Sequence, residues 1–470
     1  MKRLRVASRV SDSFVAQTTI SRSSRQLSTT LLRRESQSTS FKPLTSTSPR
    51  QNLFPSRTLQ QATRYASSST EAGGLRKTPL YDLHLSHGGK MVPFGGFQMP
   101  VQYTSLSVSA SHHFTRSHAS LFDVSHMVQH HFSGPGATAF LEMITPASIS
   151  SLGTHRSGLS TLLWPVTGGI VDDTIITRLG PEKFYVVTNA GCRDKDLAYF
   201  TEQLEAFKKS GGEKVEWEVL EDWGLVALQG PLSEEILTSV LVQPEEVALK
   251  ELYFGQSKYM KVKLLGMDIS SPLLVSRGGY TGEDGFEISI PPAETVAVTE
   301  ALLQSATPSR LQFAGLGARD SLRLEAGMCL YGHDLDDSTT PVEAALSWVI
   351  GKDRRTAGGF HGSDIILSQL TPKNKGGVGV ERRRIGLIVD GAPAREGADI
   401  VNEKGEKIGN ITSGCPSPTL NKNIAMGYIK DGFHKSGTEV GVVVRGKQRK
   451  AVVTKMPFVP SRYWKGDSSA

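Results

Sequence analysis

The sequence predicts an α+β protein built on antiparallel sheets and ending in a small β-barrel, and three observations carry that expectation. Between Thr78 and about Ala345, short β-branched runs outnumber amphipathic helical stretches, with no repeat of fixed period. Successive strand candidates follow one another closely and pair locally, so alternating βαβ units are not indicated. From Ile385 to Pro457, short strands recur at intervals of about ten residues between Gly, Pro, Asn and Asp turns, the pattern of a small barrel or sandwich.

In chain order, the strand candidates are Val128–Phe132, Gly158–Val166, Asp173–Leu179, Lys183–Ala190 and Gly224–Gly230. A helix is expected over Asp194–Lys209, with Leu197, Phe200, Leu204 and Phe207 on its buried face, and another over Ala293–Leu303. Leu273–Arg277 and Phe286–Ile290 read as the two arms of a hairpin, whose turn Thr281–Gly285 takes positive φ at Gly282 and Gly285. Leu316–Glu325 reads as a helix with Arg319 and Arg323 on one face and Leu322 and Leu324 beneath. The polar, glycine-rich stretch Leu370–Arg384 reads as a linker, with Arg382, Arg383 and Arg384 as its solvated end. IGLIVD, KIGNITSG, IAMGYI, EVGVVVRG and KAVVTKM then supply the strands of the last domain.

At 470 residues and 38% hydrophobic content, with no long apolar run, the chain has the composition of a soluble protein with two or three cores and not of a membrane protein. Its formal charge of +7 is concentrated at one end: residues 1–70 carry 12 Lys/Arg and two acids, whereas the other 400 residues carry 41 basic and 44 acidic side chains. The body therefore offers no basic footprint for nucleic acid. The leader is rich in Arg, Ser and Thr, poor in acids and without an apolar core, which is the composition of a mitochondrial transit peptide over residues 1–65, with RYASSS (Arg64–Ser69) as its processing segment. Cys192, Cys329 and Cys415 are far apart and lack C-x-x-C spacing, so neither a disulfide framework nor a zinc site is indicated, in keeping with a reducing matrix.

Three segments have the residue types of a binding site. In GGYTGEDGFE (Gly278–Glu287), Phe286, Ile288 and Ile290 share one strand face, so Glu287 points from the other, with Tyr280 across the turn. A carboxylate beside an aromatic ring suits a flat heterocycle offering two adjacent N–H donors. GGIVDD (Gly168–Asp173) places two carboxylates on successive strand positions, one to each face, and VVTNAG (Val186–Gly191) adds the amide of Asn189 at a strand end. LGARDSLRLE (Leu316–Glu325) adds Arg319, suited to a polar ligand or a carboxylate partner. His112, His113, His118, His126, His130 and His131 match no metal-ligand spacing. No G-x-G-x-x-G follows a strand and no G-x-x-x-x-G-K-[ST] occurs, so no nucleotide-binding fold is supported and no metal or nucleotide is expected.

GGIVDD, YVVTNAG, GYTGEDGFE, ARDSLRLEAGMCLYG, TTPVEA, TSGCPSP and KMPFVP, in this order and from Thr78 to Tyr463, resemble the T-protein family of the glycine cleavage system. The resemblance implies a three-domain, cloverleaf-like arrangement around a central folate channel, with a tetrahydrofolate-binding region of two subdomains over 78–370 and a C-terminal barrel over 384–463. It implies that Asp173 is the catalytic carboxylate, that Asn189, Tyr280, Glu287 and Arg319 line the folate site, and that Tyr463, or its neighbour Arg462, closes that site. It further implies a tetrahydrofolate-dependent aminomethyltransferase of the mitochondrial matrix. Such an enzyme works on the lipoylated H-protein beside the P- and L-proteins, with no nucleic acid or membrane partner. Arg445, Lys447, Arg449 and Lys450 are candidates for a local docking patch.

Two other folate-binding classes fit less well. The non-catalytic iron–sulfur assembly factors carry K-G-C-Y-x-G-Q-E where this chain reads EAGMCLYGHDLDD, and the dimethylglycine and sarcosine dehydrogenases carry a flavin-binding Rossmann domain for which this chain has no room.

Overall fold

Alternating strands with one apolar face need a second layer to cover them, and here sheets and helices supply it for each other. The computed structural model describes residues 74–371 and 373–466, so the leader and its processing segment lie outside the described residues. A five-stranded antiparallel sheet runs in the order Ser157–Leu163, Ile170–Gly180, Lys183–Thr188, Val128–Ser133, Glu216–Val219. The helices Ala137–Ile144 and Arg193–Lys209 cover one of its faces, where Phe132, Phe140, Phe184, Tyr199 and Phe200 form a core.

A six-stranded sheet has the order Gln256–Met260, Leu273–Arg277, Gly285–Ile290, Gly224–Gln229, Ala119–Asp123, Leu311–Phe313. Its last pair is parallel, as is the pairing of Arg76–Lys77 with Phe97–Tyr103 in a small three-stranded sheet. Phe286, Ile288 and Ile290 are fully buried on one face, against the helices Ser233–Val240 and Thr295–Gln304. Burial of each such side chain contributes roughly 1.5–3 kcal/mol. On the opposite face, Leu225, Ala227 and Leu274 meet Tyr185 and Val187 of the five-stranded sheet, together with Ala318 and Leu322 of the helix Leu316–Glu325. Gln129 ties the two layers through one oxygen, which accepts from Tyr185 (2.8 Å) and Ser289 (2.6 Å).

The C-terminal strands close a barrel in the order Arg382–Val389, Lys422–Lys430, Lys407–Ser417, Asp399–Val401, Glu439–Val444, Lys447–Thr454. The expected linker end, over 382–384, therefore opens the first barrel strand, and its arginines are paired within the fold, Arg382 and Arg383 being partly exposed. Arg384 is buried and donates to the carbonyl of Ala344 (2.7 Å), Arg383 pairs with Asp431 (2.8 Å), and Arg382 with Glu343 (3.4 Å). Three basic side chains in a row read as a solvated end because their acceptors are remote in sequence. In the helix over 193–209, Phe200 is buried as expected and Leu204 and Phe207 pack partly buried against the same core, but the fully buried set also includes Asp196, Tyr199 and Gln203. The sheet beneath receives a polar edge of the helix that hydrophobic periodicity does not mark.

One buried ionic cluster joins these layers to the barrel. Arg116, on the helix Val108–Ser117, donates through Nη1 to the carbonyl of Thr281 (2.7 Å) and to Glu283 (2.9 Å), and through Nη2 to Glu325 (2.8 Å). Glu325 also accepts from His112 (3.1 Å) and from the backbone and hydroxyl of Thr419 on the barrel side (3.1 and 2.8 Å). Burial alone would raise the Glu325 carboxyl, but hydrogen bonds from His112, Ser417 and Thr419 hold it down at about 2. Replacing Arg116 by Met leaves Glu325 buried without its arginine and Glu283 with only the more distant, largely exposed Arg462. The expected loss is about 3–5 kcal/mol of stability, read as a lower denaturant midpoint at unchanged m-value.

Candidate active site

The two carboxylates of GGIVDD sit at the start of the strand Ile170–Gly180, directly after a local irregularity. The register passes from Leu162↔Asp172 to Leu163↔Ile170, leaving Val171 as the extra residue of a bulge. Gly169 is required just before it, because a Cβ there would lie 1.9 Å from the carbonyl oxygen of Asp337. Simple alternation would separate Asp172 from Asp173, yet both reach the same amide. Asn189, at the end of the neighbouring strand, donates from Nδ2 to Asp172 (2.9 Å) and to Asp173 (2.9 Å), and its backbone N–H donates to Asp172 (2.8 Å).

Burial raises the carboxyl of Asp173 from its usual range to about 7, the charge of Asp172 adds to the rise, and the Asn189 hydrogen bond opposes it. A carboxyl in that position is part protonated near neutrality, which suits a group that must exchange a proton.

The hairpin supplies the second wall. Glu287 pairs in register with Ala227 and Ser276, which turns its side chain into the space between the two sheets. It makes no hydrogen bond or ion pair among the described residues, and burial raises its carboxyl while Arg319 opposes the rise. Arg319 stacks over the ring of Tyr280 at 4.7 Å, and its buried Nη1 lacks an acceptor among the described residues. Tyr280 donates its hydroxyl to the carbonyl of Cys329 and lies within electrostatic reach of Asp173. The turn differs from expectation in one glycine. Gly282 has φ +79°, whereas Gly285 already belongs to the strand and is needed because a Cβ would meet the Leu228 carbonyl oxygen at 2.4 Å.

The tail after the barrel returns to this turn. Arg462 donates its backbone N–H to the carbonyl of Gly282 (2.8 Å), and Trp464 donates to Asp284 (3.2 Å). Tyr463 stacks on Phe254 at 4.2 Å, its hydroxyl close to the backbone of Gly282. Arg462 directs its guanidinium toward Glu283 at 3.5 Å and is 60% exposed, so of the two neighbours Tyr463 is the one turned inward. The structure thus gathers Asp173, Asn189, Tyr280, Glu287 and Arg319 around the space between the sheets, with Tyr463 at the edge of the turn.

Sequence reasoning did not single out Cys329 as the acceptor that orients Tyr280, nor Asp196, which lies next to Asp172. It paired Arg323 with Arg319, but Arg323 is committed elsewhere, to Asp334 (2.7 Å) and the hydroxyl of Ser413 (2.9 Å). The histidines scatter: His112 serves the Glu325 cluster, and His130 sits 3.2 Å from the hydroxyl of Thr188. Among the described residues, one group has metal-like proximity, namely Asp172, Cys192 and Asp196.

The folded chain binds the Asp173 proton more tightly than the unfolded chain does. The carboxyl therefore costs stability as pH rises from about 4 to about 7, and the cost is complete above that range. Asp173→Asn keeps the acceptor for Asn189 and removes the cost, so its melting temperature should exceed that of the parent at about pH 8 and converge with it near pH 4. Parallel thermal melts across pH check this.

Comparisons with known proteins identify the family. The family model described as "GCVT N-terminal domain" matches residues 80–354, and "Glycine cleavage T-protein C-terminal barrel domain" matches residues 382–460. The chain is 47% identical over 391 residues to "Aminomethyltransferase, mitochondrial" of Pisum sativum, covering 83% of this chain and 91% of that one. It is 48% identical over 390 residues to the protein of the same name from Mus musculus, with the same coverage. Among solved structures, the glycine cleavage system aminomethyltransferase T of Bartonella henselae superposes with a TM-score of 0.72 at 38% identity, covering 83% of this chain and all of that one. With both family domains matched in order and relatives this similar over most of the chain, the protein belongs to the glycine cleavage T-protein family of aminomethyltransferases.

Proposed function

We propose that the chain moves the methylene carbon of an aminomethyl group, carried on the lipoyl arm of the H-protein, to tetrahydrofolate. Ammonia is released, and 5,10-methylenetetrahydrofolate and the dihydrolipoyl arm remain. The two hydrogens lost from the folate nitrogens N5 and N10 balance the new S–H of the arm and the third hydrogen of ammonia. The observation that carries this reading is the raised carboxyl of Asp173 near the carboxylate of Glu287 and a buried guanidinium nitrogen, Arg319 Nη1, that have no hydrogen-bond partner among the described residues.

The residues fit the pterin. Its ring N–H and exocyclic amine lie side by side, and Glu287 offers two acceptor oxygens with no competing partner. Arg319 has a free N–H for a ring carbonyl, and Tyr280, already stacked on Arg319, supplies an aromatic surface. Tyr463 closes the turn from the C-terminal side. Asp173 is assigned the proton traffic: ionised, it accepts a folate N–H proton and stabilises the iminium-like methylene as the carbon–sulfur and carbon–nitrogen bonds exchange. Asn189 holds it there.

Residues 78–370 then form the folate-binding region and 384–463 the barrel domain, a division that the matched family segments support. The leader over 1–65 is assigned to import into the mitochondrial matrix; relatives named mitochondrial and its own composition support this. The H-, P- and L-proteins are the proposed partners, with Arg445, Lys447, Arg449 and Lys450 on one barrel hairpin as a docking patch. No helix among the described residues is long and apolar enough to cross a membrane.

The deciding experiment is ammonia release from an aminomethyl-lipoylated carrier with and without tetrahydrofolate. Release stimulated by folate, with methylenetetrahydrofolate as product, supports the reading; folate binding without stimulation refutes it. Asp173→Asn should lower turnover by about 10²–10³-fold with the folate KM little changed. Because the ionised form is required, turnover of the parent should rise with pH through about 7 and level off above it. Glu287→Gln should raise the folate KM about tenfold or more, since one acceptor becomes a donor facing a donor. Steady-state kinetics in folate checks that split.

A further inference from the structure

Behind Asp173 stands a second carboxyl that the proposed reaction does not use. Asp172 and Asp196 are both 0% exposed, and one oxygen of each, with the sulfur of Cys192, lies within 4.8 Å of the others. Asp172 is well supplied, with two N–H groups of Asn189 at 2.8 and 2.9 Å. Asp196 is not: among the described residues neither of its oxygens has a partner at good hydrogen-bond geometry, and the Thr188 hydroxyl is the one nearby donor that lowers its carboxyl. Two buried anions in that arrangement would repel each other, with only the Thr188 hydroxyl and the charge of Lys195 set against the larger desolvation of Asp196. A proton between them removes both difficulties, as it does wherever two carboxyls share a confined site.

The remaining neighbours leave that proton in place. Burial raises the thiol of Cys192, so it stays protonated and is no thiolate ligand. Thr188 faces Asp196 from the adjacent strand, with neutral His130 behind it, held down to about 3 by burial. Lys195, the nearest cation, donates instead to the Tyr331 hydroxyl and to Asp337 (2.6 and 3.0 Å). Tyr331 in turn donates to the carbonyl of Ile170 (2.8 Å), and Tyr199 to that of Leu163 (2.7 Å).

We propose that Asp172 and Asp196 share a single proton and that this pair, acting through Asn189, holds Asp173 in position and governs its charge. Asp196 is thereby a positioning residue. Its proton spreads the one negative charge of the pair away from Asp173 and keeps Asp172 an acceptor for Asn189. Asn189, pinned by its backbone and side-chain N–H groups, then presents its second side-chain hydrogen to Asp173 (2.9 Å). The kinetic part of this proposal rests on the role given to Asp173 above, whereas the shared proton does not.

The test combines infrared spectroscopy and kinetics on the full chain. With aspartate-selective ¹³C labelling, the parent at about pH 8 should show a protonated-carboxyl band that shifts with the label, which separates it from Glu287; the band should persist in Asp173→Asn and vanish in Asp196→Asn. In Asp196→Ala the whole charge falls on Asp172, so the acid limb of the pH–turnover profile should move to higher pH, turnover near pH 7 should fall about tenfold, and the folate KM should change little. Asp196→Asn, which can still donate an N–H to Asp172, should recover most of that turnover.

No label-sensitive band in the parent overturns the shared proton, as does a stoichiometric divalent metal in the purified protein. An unmoved acid limb in an Asp196→Ala protein with an intact melting transition overturns the positioning role. Should the parent release no ammonia with tetrahydrofolate, the reading of the reaction fails while the infrared result still decides the proton.

Discussion

The guanidinium of Arg116 is the contact on which the rest of the arrangement depends. It is the shared cation of two carboxylates that arrive from different parts of the chain, Glu283 in the hairpin turn and Glu325 at the end of a helix. Through Glu325 it also reaches Ser417 and Thr419 of the barrel region. Fixing that cation fixes the turn from which Tyr280 projects, the helix that carries Arg319, and the seat on which the barrel rests. The backbone N–H groups of Phe458 and Val459 reach the Glu325 carbonyl (2.8 and 3.1 Å) and guide the tail toward Tyr463. A buried charge cluster of this kind is weak as a source of net stability but strict in geometry, because any arrangement that separates its members leaves an unpaired ion in the interior.

The site differs from that brace in its electrostatic logic. At Arg116 every carboxylate has donors, and Glu325 is held far below its usual range. Around Asp173 the donors are too few for the carboxyls present, so burial pushes Asp173 and Glu287 up. The first arrangement resists protonation and holds the fold at neutral pH; the second makes ionisation costly and retains protons on buried carboxyls, as the proposed proton transfer requires. Both are built from the same residue types, and the number of N–H groups that converge on each carboxyl separates them.

Local periodicity made much of the framework legible. Strand alternation at Phe286, Ile288 and Ile290 identified the face from which Glu287 emerges, because that relation involves neighbouring residues only. The spacing of short strands after Ile385 indicated a barrel, and its first strand lies where expected except that it begins three residues earlier, within the arginine run. The adjacency of Asp172 and Asp173 was visible, but the bulge at Val171 and the convergence of both carboxylates on Asn189 were not, since both depend on the partner strands. Asp196 reads as an ordinary acid in the first turn of a helix, a position that favours negative charge on local grounds alone.

What the sequence determined by itself is therefore the set of elements and the face on which each side chain stands, because these follow from the backbone period and from turn chemistry within a few residues. Tertiary structure alone decided which polar groups meet. Arg116 and Glu325 are 209 positions apart, and Arg277 takes Glu234 across 43 positions while Arg323 takes Ser413 across 90. Composition cannot distinguish an arginine bound for solvent from one bound for a buried carboxylate, since the difference lies in the partner that the folded chain brings to it. For the same reason, Asp173 acquires its raised carboxyl only where the sheet buries it beside Asp172.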